Sequence, residues 1–299
     1  MPRLTDIWRV GVVAAPFAEI AINGLAGHAI GWVPAREDFT FLADPFGLWR
    51  DEGLYLFAEA FDYRDRRGHI EVLHLNRQFE LLDRRTCLSE PWHLSYPFVF
   101  EAEGDTWMLP EAHRSGGLHL YRATQFPARW ERTTTIALDG IPVDASPVFH
   151  DGLWWLFYAV AGSKRSKLGT LHLAYAEKLR GPWRCHAGNP VRVDPSSARP
   201  GGTPFALNNV LIAPMQDCSR TYGGNIQMLW IDQISPTNFK AHPWTIIGPR
   251  RDFAPFDEGL HTLSACGDVT LIDAKRVDRS WNGLAIDMKR YATQFFTRS

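Results

Sequence analysis

The chain has 299 residues, 45% apolar and 13% aromatic, with 12 tryptophans and a formal charge of −1. Near-neutrality excludes the basic footprint of a nucleic-acid-binding protein. The four cysteines, Cys87, Cys185, Cys218 and Cys266, form no C-x-x-C pair, which excludes a thiolate zinc site and a small disulfide scaffold.

In chain order, the N-terminus has no apolar stretch of the secretory-signal kind. The segment from Val10 to Trp32 is broken by Pro16, Glu19, Asn23 and His28, so it falls short of the roughly 20 mainly apolar residues a membrane span needs. The expectation is a cytoplasmic protein without a transmembrane segment. Asp6 to Val13 reads as a strand and Pro16 to Leu25 as a short helix with Pro near its first turn. A phrase then recurs: Ala-Asp-Pro-Phe-Gly-Leu-Trp-Arg from Ala43, Ser-Tyr-Pro-Phe-Val-Phe from Ser95, Ala-Ser-Pro-Val-Phe-His from Ala145, Gly-Thr-Pro-Phe-Ala-Leu from Gly202, and His-Thr-Leu-Ser-Ala-Cys from His261. With Pro45, Pro97, Pro147, Pro204 and Leu263 as marks, the copies are 50 to 59 residues apart. Short apolar strands around turns at that period predict an all-β fold, a five-bladed β-propeller occupying residues 1–299 as one domain.

Within the copies, alternation predicts strands at Pro45 to Arg50, Tyr55 to Glu59 and His69 to Leu75, then Pro97 to Glu101, Thr106 to Leu109 and Leu118 to Ala123, then Pro147 to His150, Trp154 to Ala159 and Leu171 to Ala176. Blade four is read at Ala206 to Ala213 and Ile226 to Ile231, and blade five at Val269 to Asp273 and Leu284 to Lys289. A ring must close to leave no unpaired edge, and Asp6 to Val13 is expected to complete the last sheet near Trp281 to Met288.

In a propeller the start of each first strand and the end of each second strand emerge on one face. Those positions are Asp44 and Glu59, Tyr96 and Glu111, Asp144 or Ser146 with Tyr158, Arg199, Thr203, Gln216 and Asp217, and His261 and Asp273. Glu59 and Glu111 stand at equal offsets from their prolines. Carboxylates gathered at one mouth raise one another's pKa, and such clusters are where acid and base roles separate.

These residues carry a resemblance. Phe-Leu-Ala-Asp-Pro-Phe from Phe41, Trp-Met-Leu-Pro-Glu-Ala from Trp107, Arg199-Pro200-Gly201-Gly202, Gln216-Asp217-Cys218 with Tyr222-Gly223, and Gly259-Leu260-His261-Thr262 resemble the N-terminal domain of glucosamine inositolphosphorylceramide transferases. That domain is similar in turn to the five-bladed propellers of family 43 and family 32 glycoside hydrolases. The resemblance implies Asp44 as general base, Asp144 as the residue tuning the acid, and His261 near the channel, where calcium is possible. The Glu-Gly-Pro context of the family 43 acid is missing, leaving Glu111 and Glu59 both open as acid.

The leading expectation is a carbohydrate-active enzyme that cleaves or transfers a glycosyl unit in biosynthesis or modification of a cell-surface glycan or glycolipid. Asp44, Glu111, Asp144 and Glu59 would be catalytic, and Arg199, Asp217, His261, Tyr96 and Tyr158 would bind substrate. The partner would be a sugar or glycan, with a glycolipid or sugar nucleotide in scope, and no metal or other cofactor is expected beyond that calcium. The alternative is a non-catalytic glycan-binding propeller.

Overall fold

The computed structural model describes residues 4–51 and 53–296, and places five antiparallel sheets around a central axis. Blade one is Thr40–Arg50, Gly53–Asp62, Arg67–Leu75 and Leu81–Leu88, and blade two is Ser95–Ala102, Asp105–Glu111, Leu118–Gln125 and Arg129–Ile136. Blade three is Pro142–His150, Leu153–Val160 and Thr170–Ala176, with the short Arg184–Cys185 and Arg192–Val193 both on its third strand. In blade four, Arg199–Pro200 and Phe205–Leu207 both pair with Val210–Asp217, followed by Asn225–Ile234 and Phe239–Ile247. Blade five is Leu263–Cys266 and Val269–Asp278 from the C-terminal part, completed by Thr5–Val13 and Ile30–Trp32 from the N-terminal part.

That last sheet closes the ring. Thr5 pairs with Asp278 and Val13 with Thr270, so the closing strand runs along Val269–Asp278 rather than along Trp281 to Met288 as expected. The stretch Leu284 to Lys289, expected as a strand, lies in the helix Asn282–Phe296 instead. Its Leu, Ala, Met and Lys are good helix formers, and the sheet position they were expected to fill is taken by the N-terminal strand. In blade four, Ala206 to Ala213 is not one strand. Asn208 and Asn209, both at positive φ, turn the chain between Phe205–Leu207 and Val210–Asp217. Asn tolerates the left-handed region better than most residues. The short helix is Phe17–Asn23, with Pro16 at its N-cap and Gly24 closing its C-terminus through an N–H to Ile20 O bond of 2.8 Å.

The apolar core is divided among the blade interfaces. One buried cluster lies between each neighbouring pair: Val12, Leu42 and Leu271 between five and one, Phe57, Val99 and Met108 between one and two, and Phe98, Leu109 and Leu156 between two and three. Phe157, Leu173 and Leu229 fill the gap between three and four, and Ile212, Met228 and Ile272 that between four and five. Trp107 and Trp155 are buried packing residues. Phe157→Ala should destabilise the chain by about 3–5 kcal/mol through the cavity it leaves. A denaturant titration reads this as a lower midpoint at unchanged slope.

Three of the first strands carry the same irregularity. Register slips between Ala43 and Phe46, Ser95 and Phe98, and Val143 and Ser146, and the residue in the slip, Asp44, Tyr96 or Asp144, has φ of 53°, 45° or 51°. These bulges align Pro45 and Pro97 with Ala145, not with Pro147, so Asp144 occupies the place of Asp44 and Ala159 that of Glu59 and Glu111. Pro45 and Pro97 bias the residues before them toward extended backbone, yet both are left-handed here. A bulge re-aims one side chain, and the Asp44 N–H is held at 3.1 Å by the Asp273 carboxylate.

Candidate functional site

The bulges and the ends of the second strands converge on a polar cavity of about 280 Å³ at one end of the channel. Asp44, Glu59, Glu111 and Asp144 line it with Arg199 and His261, and Trp8, Phe41, Phe61, Tyr63 and Tyr222 supply aromatic walls. Glu59 and Glu111 therefore share one face, as their equal offsets predict.

Asp44 is held on every side. Its Oδ2 accepts the Tyr96 N–H at 3.1 Å, and its Oδ1 accepts the Thr262 hydroxyl at 3.0 Å and lies 3.3 Å from His261 Nε2. Burial, with the Asp144 and Asp273 charges, outweighs His261 and lifts the Asp44 pKa to about 7. His261 stacks on Trp8 at 3.7 Å, and its Nδ1 sits 2.6 Å from Asp273 Oδ2 as an ion-pair contact rather than an aligned hydrogen bond. Burial disfavours the imidazolium, but Asp273 and Asp44 overcome it and raise the His261 pKa. Gly223, at φ 57°, lets the neighbouring turn lie against this stack. A Cβ there would come within 2.5 Å of His261 and 2.8 Å of Trp8.

The two glutamates have opposite environments. Burial first, then Asp44 and the other carboxylates, drive the Glu59 pKa well above its usual value. Its neighbour His93 is kept neutral, at a pKa of about 4, by burial. The Gly68 N–H donates to His93 Nδ1 at 2.8 Å, which leaves the ring proton on Nε2, 3.5 Å from Glu59 Oε1. Glu59 is thus a carboxyl biased toward its protonated form beside a neutral imidazole. For Glu111, burial opposes ionisation, but a short contact with His113 Nδ1, with that ring's charge and Arg199, holds the carboxyl at about 2. Lys167 Nζ stands 3.4 Å from the far nitrogen of His113. Glu111 is an anion.

Asp144 is committed to Arg199 and Gln216, whose Nε and Nε2 each donate to its Oδ2 at 2.7 Å. Its pKa is raised by burial and by Glu111 against the pull of Arg199. Arg199 also lies over the Tyr222 ring, 5.3 Å from its centroid. Both ends of this ion pair are buried, so Arg199→Met should cost about 3–5 kcal/mol by stranding the Asp144 charge. Thermal unfolding near neutral pH checks this, and the loss should shrink in acid, where Asp144 takes a proton.

The structure does not bring every expected residue to the cavity. Tyr158 points to the opposite face of its sheet, where its hydroxyl bonds Asp139 at 2.8 Å. Ala159 holds the site-facing position, because a strand alternates faces. Asp217 caps a local turn through Ser219. Tyr96 supports the site from beneath, with its hydroxyl bonded to Ser146 and Gly202 and only its N–H on Asp44. Sequence reasoning assigned no site role to Trp8, His93 or His113, and Tyr222 entered only as part of the motif that carries the family resemblance. His113 stands two residues past Glu111, as Phe61 stands past Glu59, so the repeat itself pointed to it.

Asp44, His261 and Asp273 place ligand atoms within 4.8 Å of one another. They match calcium poorly. The Asp273 oxygens already accept the N–H groups of Asp44, His261 and Thr262, and both Asp44 oxygens are engaged, whereas calcium takes six to eight oxygen ligands.

Residues 7–289 match the family model described as glucosamine inositolphosphorylceramide transferase 1, N-terminal. The chain belongs to this family. It is 38% identical over 210 residues to glucosamine inositolphosphorylceramide transferase 1 of Oryza sativa subsp. indica, covering 68% of this chain and 28% of that protein. Against the Arabidopsis thaliana protein of the same name it is 34% identical over 241 residues, covering 79% of this chain and 30% of that one. The chain thus spans under a third of the length of these curated relatives. Among solved structures, a family 117 glycoside hydrolase of Zobellia galactanivorans superposes with a TM-score of 0.56 at 12% identity, covering 84% of this chain and 89% of that one. The family 62 α-L-arabinofuranosidase of Coprinopsis cinerea gives 0.53 at 10% identity, covering 88% and 96%. At such identities the likeness is one of fold.

Proposed function

We propose that this propeller acts on a glycosidic bond at the mouth of its channel. The observation that carries the reading is the divergence of carboxyl environments within one cavity: Asp44 poised at about 7, Glu59 pushed by burial toward its protonated form and Glu111 held as an anion. Two carboxyl groups pushed apart in this way are what glycosyl cleavage and transfer require, one to give a proton to the leaving oxygen and one to activate the attacking hydroxyl. Glu59 is the proton donor, since His93 offers it an N–H and no positive charge. Asp44 is the base. Glu111, fastened to His113, lends a fixed negative charge to an oxocarbenium-like transition state, and Asp144 with Arg199 keeps the acid's surroundings constant. Trp8, Phe41, Phe61 and Tyr222 give a sugar ring apolar faces to rest on.

The relatives' name joins glucosamine to an inositolphosphorylceramide. That supports a glycan or glycolipid substrate and a role in glycan biosynthesis or modification. A second reading, a non-catalytic glycan-binding propeller, is favoured by one observation: both Asp44 oxygens are already bonded to the fold. Incubating the chain with a panel of glycosides, sugar nucleotides and glycolipid acceptors separates the two. Turnover of a panel member supports the enzyme, and saturable binding with no turnover of the bound ligand supports the binding module.

A further inference from the structure

A second cavity, of about 200 Å³, adjoins the first across Trp8, which lines both. It opens between the closing strand Thr5–Val13 and the segment from Val33 to Thr40, and its lining includes Arg9, Arg36, Arg276 and Phe256. The register pairs Ile7 with Arg276 and Arg9 with Ala274, so Arg9 and Arg276 sit one pleat apart on the same face of adjacent strands. Both guanidinium groups lie over the single ring of Phe256, at 6.0 and 5.7 Å, and Arg9 also covers Trp32 at 4.9 Å.

The charges of these arginines are unevenly met. Arg36 is committed to Glu71 at 2.7 Å, and Arg276 reaches Asp278 only at 3.7 Å. Arg9 has no carboxylate within ion-pair distance among the described residues, and its buried Nε has no hydrogen-bond partner. Burial lowers its pKa, the sign of a guanidinium paying for lost water without a counter-charge. Glu37 and Asp38 also line the cavity, and Glu37 faces Arg64 at 3.6 Å. Two like charges one pleat apart repel, and a buried donor left unmet is costly. A bound oxyanion removes both penalties, and the planar guanidinium fork suits phosphate and carboxylate.

We propose that this cavity is an oxyanion subsite, with Arg9 and Arg276 receiving a phosphate ester or a sugar carboxylate carried by the ligand whose sugar fills the Glu59 cavity. The connection between the two cavities rests on the glycan reading above, whereas the anion site itself does not.

The test is calorimetric titration of the full chain at low ionic strength with inorganic phosphate, a hexose phosphate, a hexuronate and the corresponding neutral hexose. Inorganic phosphate should bind, and the hexose phosphate should bind more tightly than either phosphate or the neutral hexose. Arg9→Gln should weaken every anion about ten- to a hundredfold, the worth of hydrogen bonds to a charged group, while leaving the neutral hexose alone. Arg9→Lys should restore part of the loss. Thermal melts establish that each variant folds, and Arg276→Gln takes the place of any Arg9 variant that does not. Anion affinity unchanged in a folded Arg9→Gln protein overturns the subsite. Phosphate binding with no gain from the attached sugar overturns the shared ligand and leaves the subsite standing.

Discussion

Asp44→Asn should leave a folded protein that binds its sugar ligand and turns it over about 10²–10⁴-fold more slowly, the usual worth of general-base help. The fold tolerates this change for a local reason. Asp44 stands at φ 53°, a region Asn accepts readily, and the Asn carbonyl oxygen can still take the Tyr96 N–H. What disappears is the group able to accept a proton near pH 7. Ala at the same position would lose those bonds and strain a left-handed backbone, so Asn is the informative variant. Steady-state rates with a ligand from the panel, alongside calorimetric affinity, read the two quantities separately. Full activity in the Asn variant would remove Asp44 from the chemistry.

Glu59→Gln should cost a comparable factor and change the shape of the pH profile. In the wild type, activity requires Asp44 ionised and Glu59 protonated. Activity therefore rises with pH as Asp44, at about 7, loses its proton, and falls where Glu59 loses its own, a limb that burial and neighbouring carboxylates move upward from the usual carboxyl range. Gln keeps the amide donor pointing where the carboxyl proton was but cannot release a proton, so the residual rate should lose its alkaline limb and keep its acid limb. Glu111→Gln should behave otherwise. Glu111 is ionised from about pH 2 upward and its charge helps to raise the Glu59 pKa, so its loss should lower the rate and shift the alkaline limb toward lower pH without abolishing it. An alkaline limb that persists in Glu59→Gln and vanishes in Glu111→Gln would exchange the roles assigned here.

The architecture was legible because a propeller is written as a repeat. The recurring phrases from Ala43, Ser95, Ala145, Gly202 and His261 each opened a blade, and the equal offsets of Glu59 and Glu111 placed both on one face. Less was legible where local pattern and ring closure competed. The residues from Leu284 to Lys289 pattern like a strand, but the sheet they would have joined was completed by Thr5–Val13 from the other end of the chain. The third copy was read through Pro147, and only its bulge reveals Ala145 as the equivalent of Pro45. Counted from Ala145, the offset that Glu59 and Glu111 keep from Pro45 and Pro97 falls on Ala159, and Tyr158, one residue earlier, faces the other side of the sheet.

Sequence alone determined five blades, their order, and a mouth carrying Asp44, Glu59, Glu111, Asp144, Arg199 and His261. Repeat spacing and strand alternation are local properties, so they survive without knowledge of contacts. Tertiary structure decided which of those carboxyl groups holds a proton. Protonation depends on burial and on neighbours brought from other blades or from the loops between them: His93 beside Glu59, Lys167 behind the His113 that touches Glu111, and Asp273 with His261 around Asp44. No spacing within one repeat encodes those neighbours, because each arrives from a different blade or from the loops between blades only when the ring is closed.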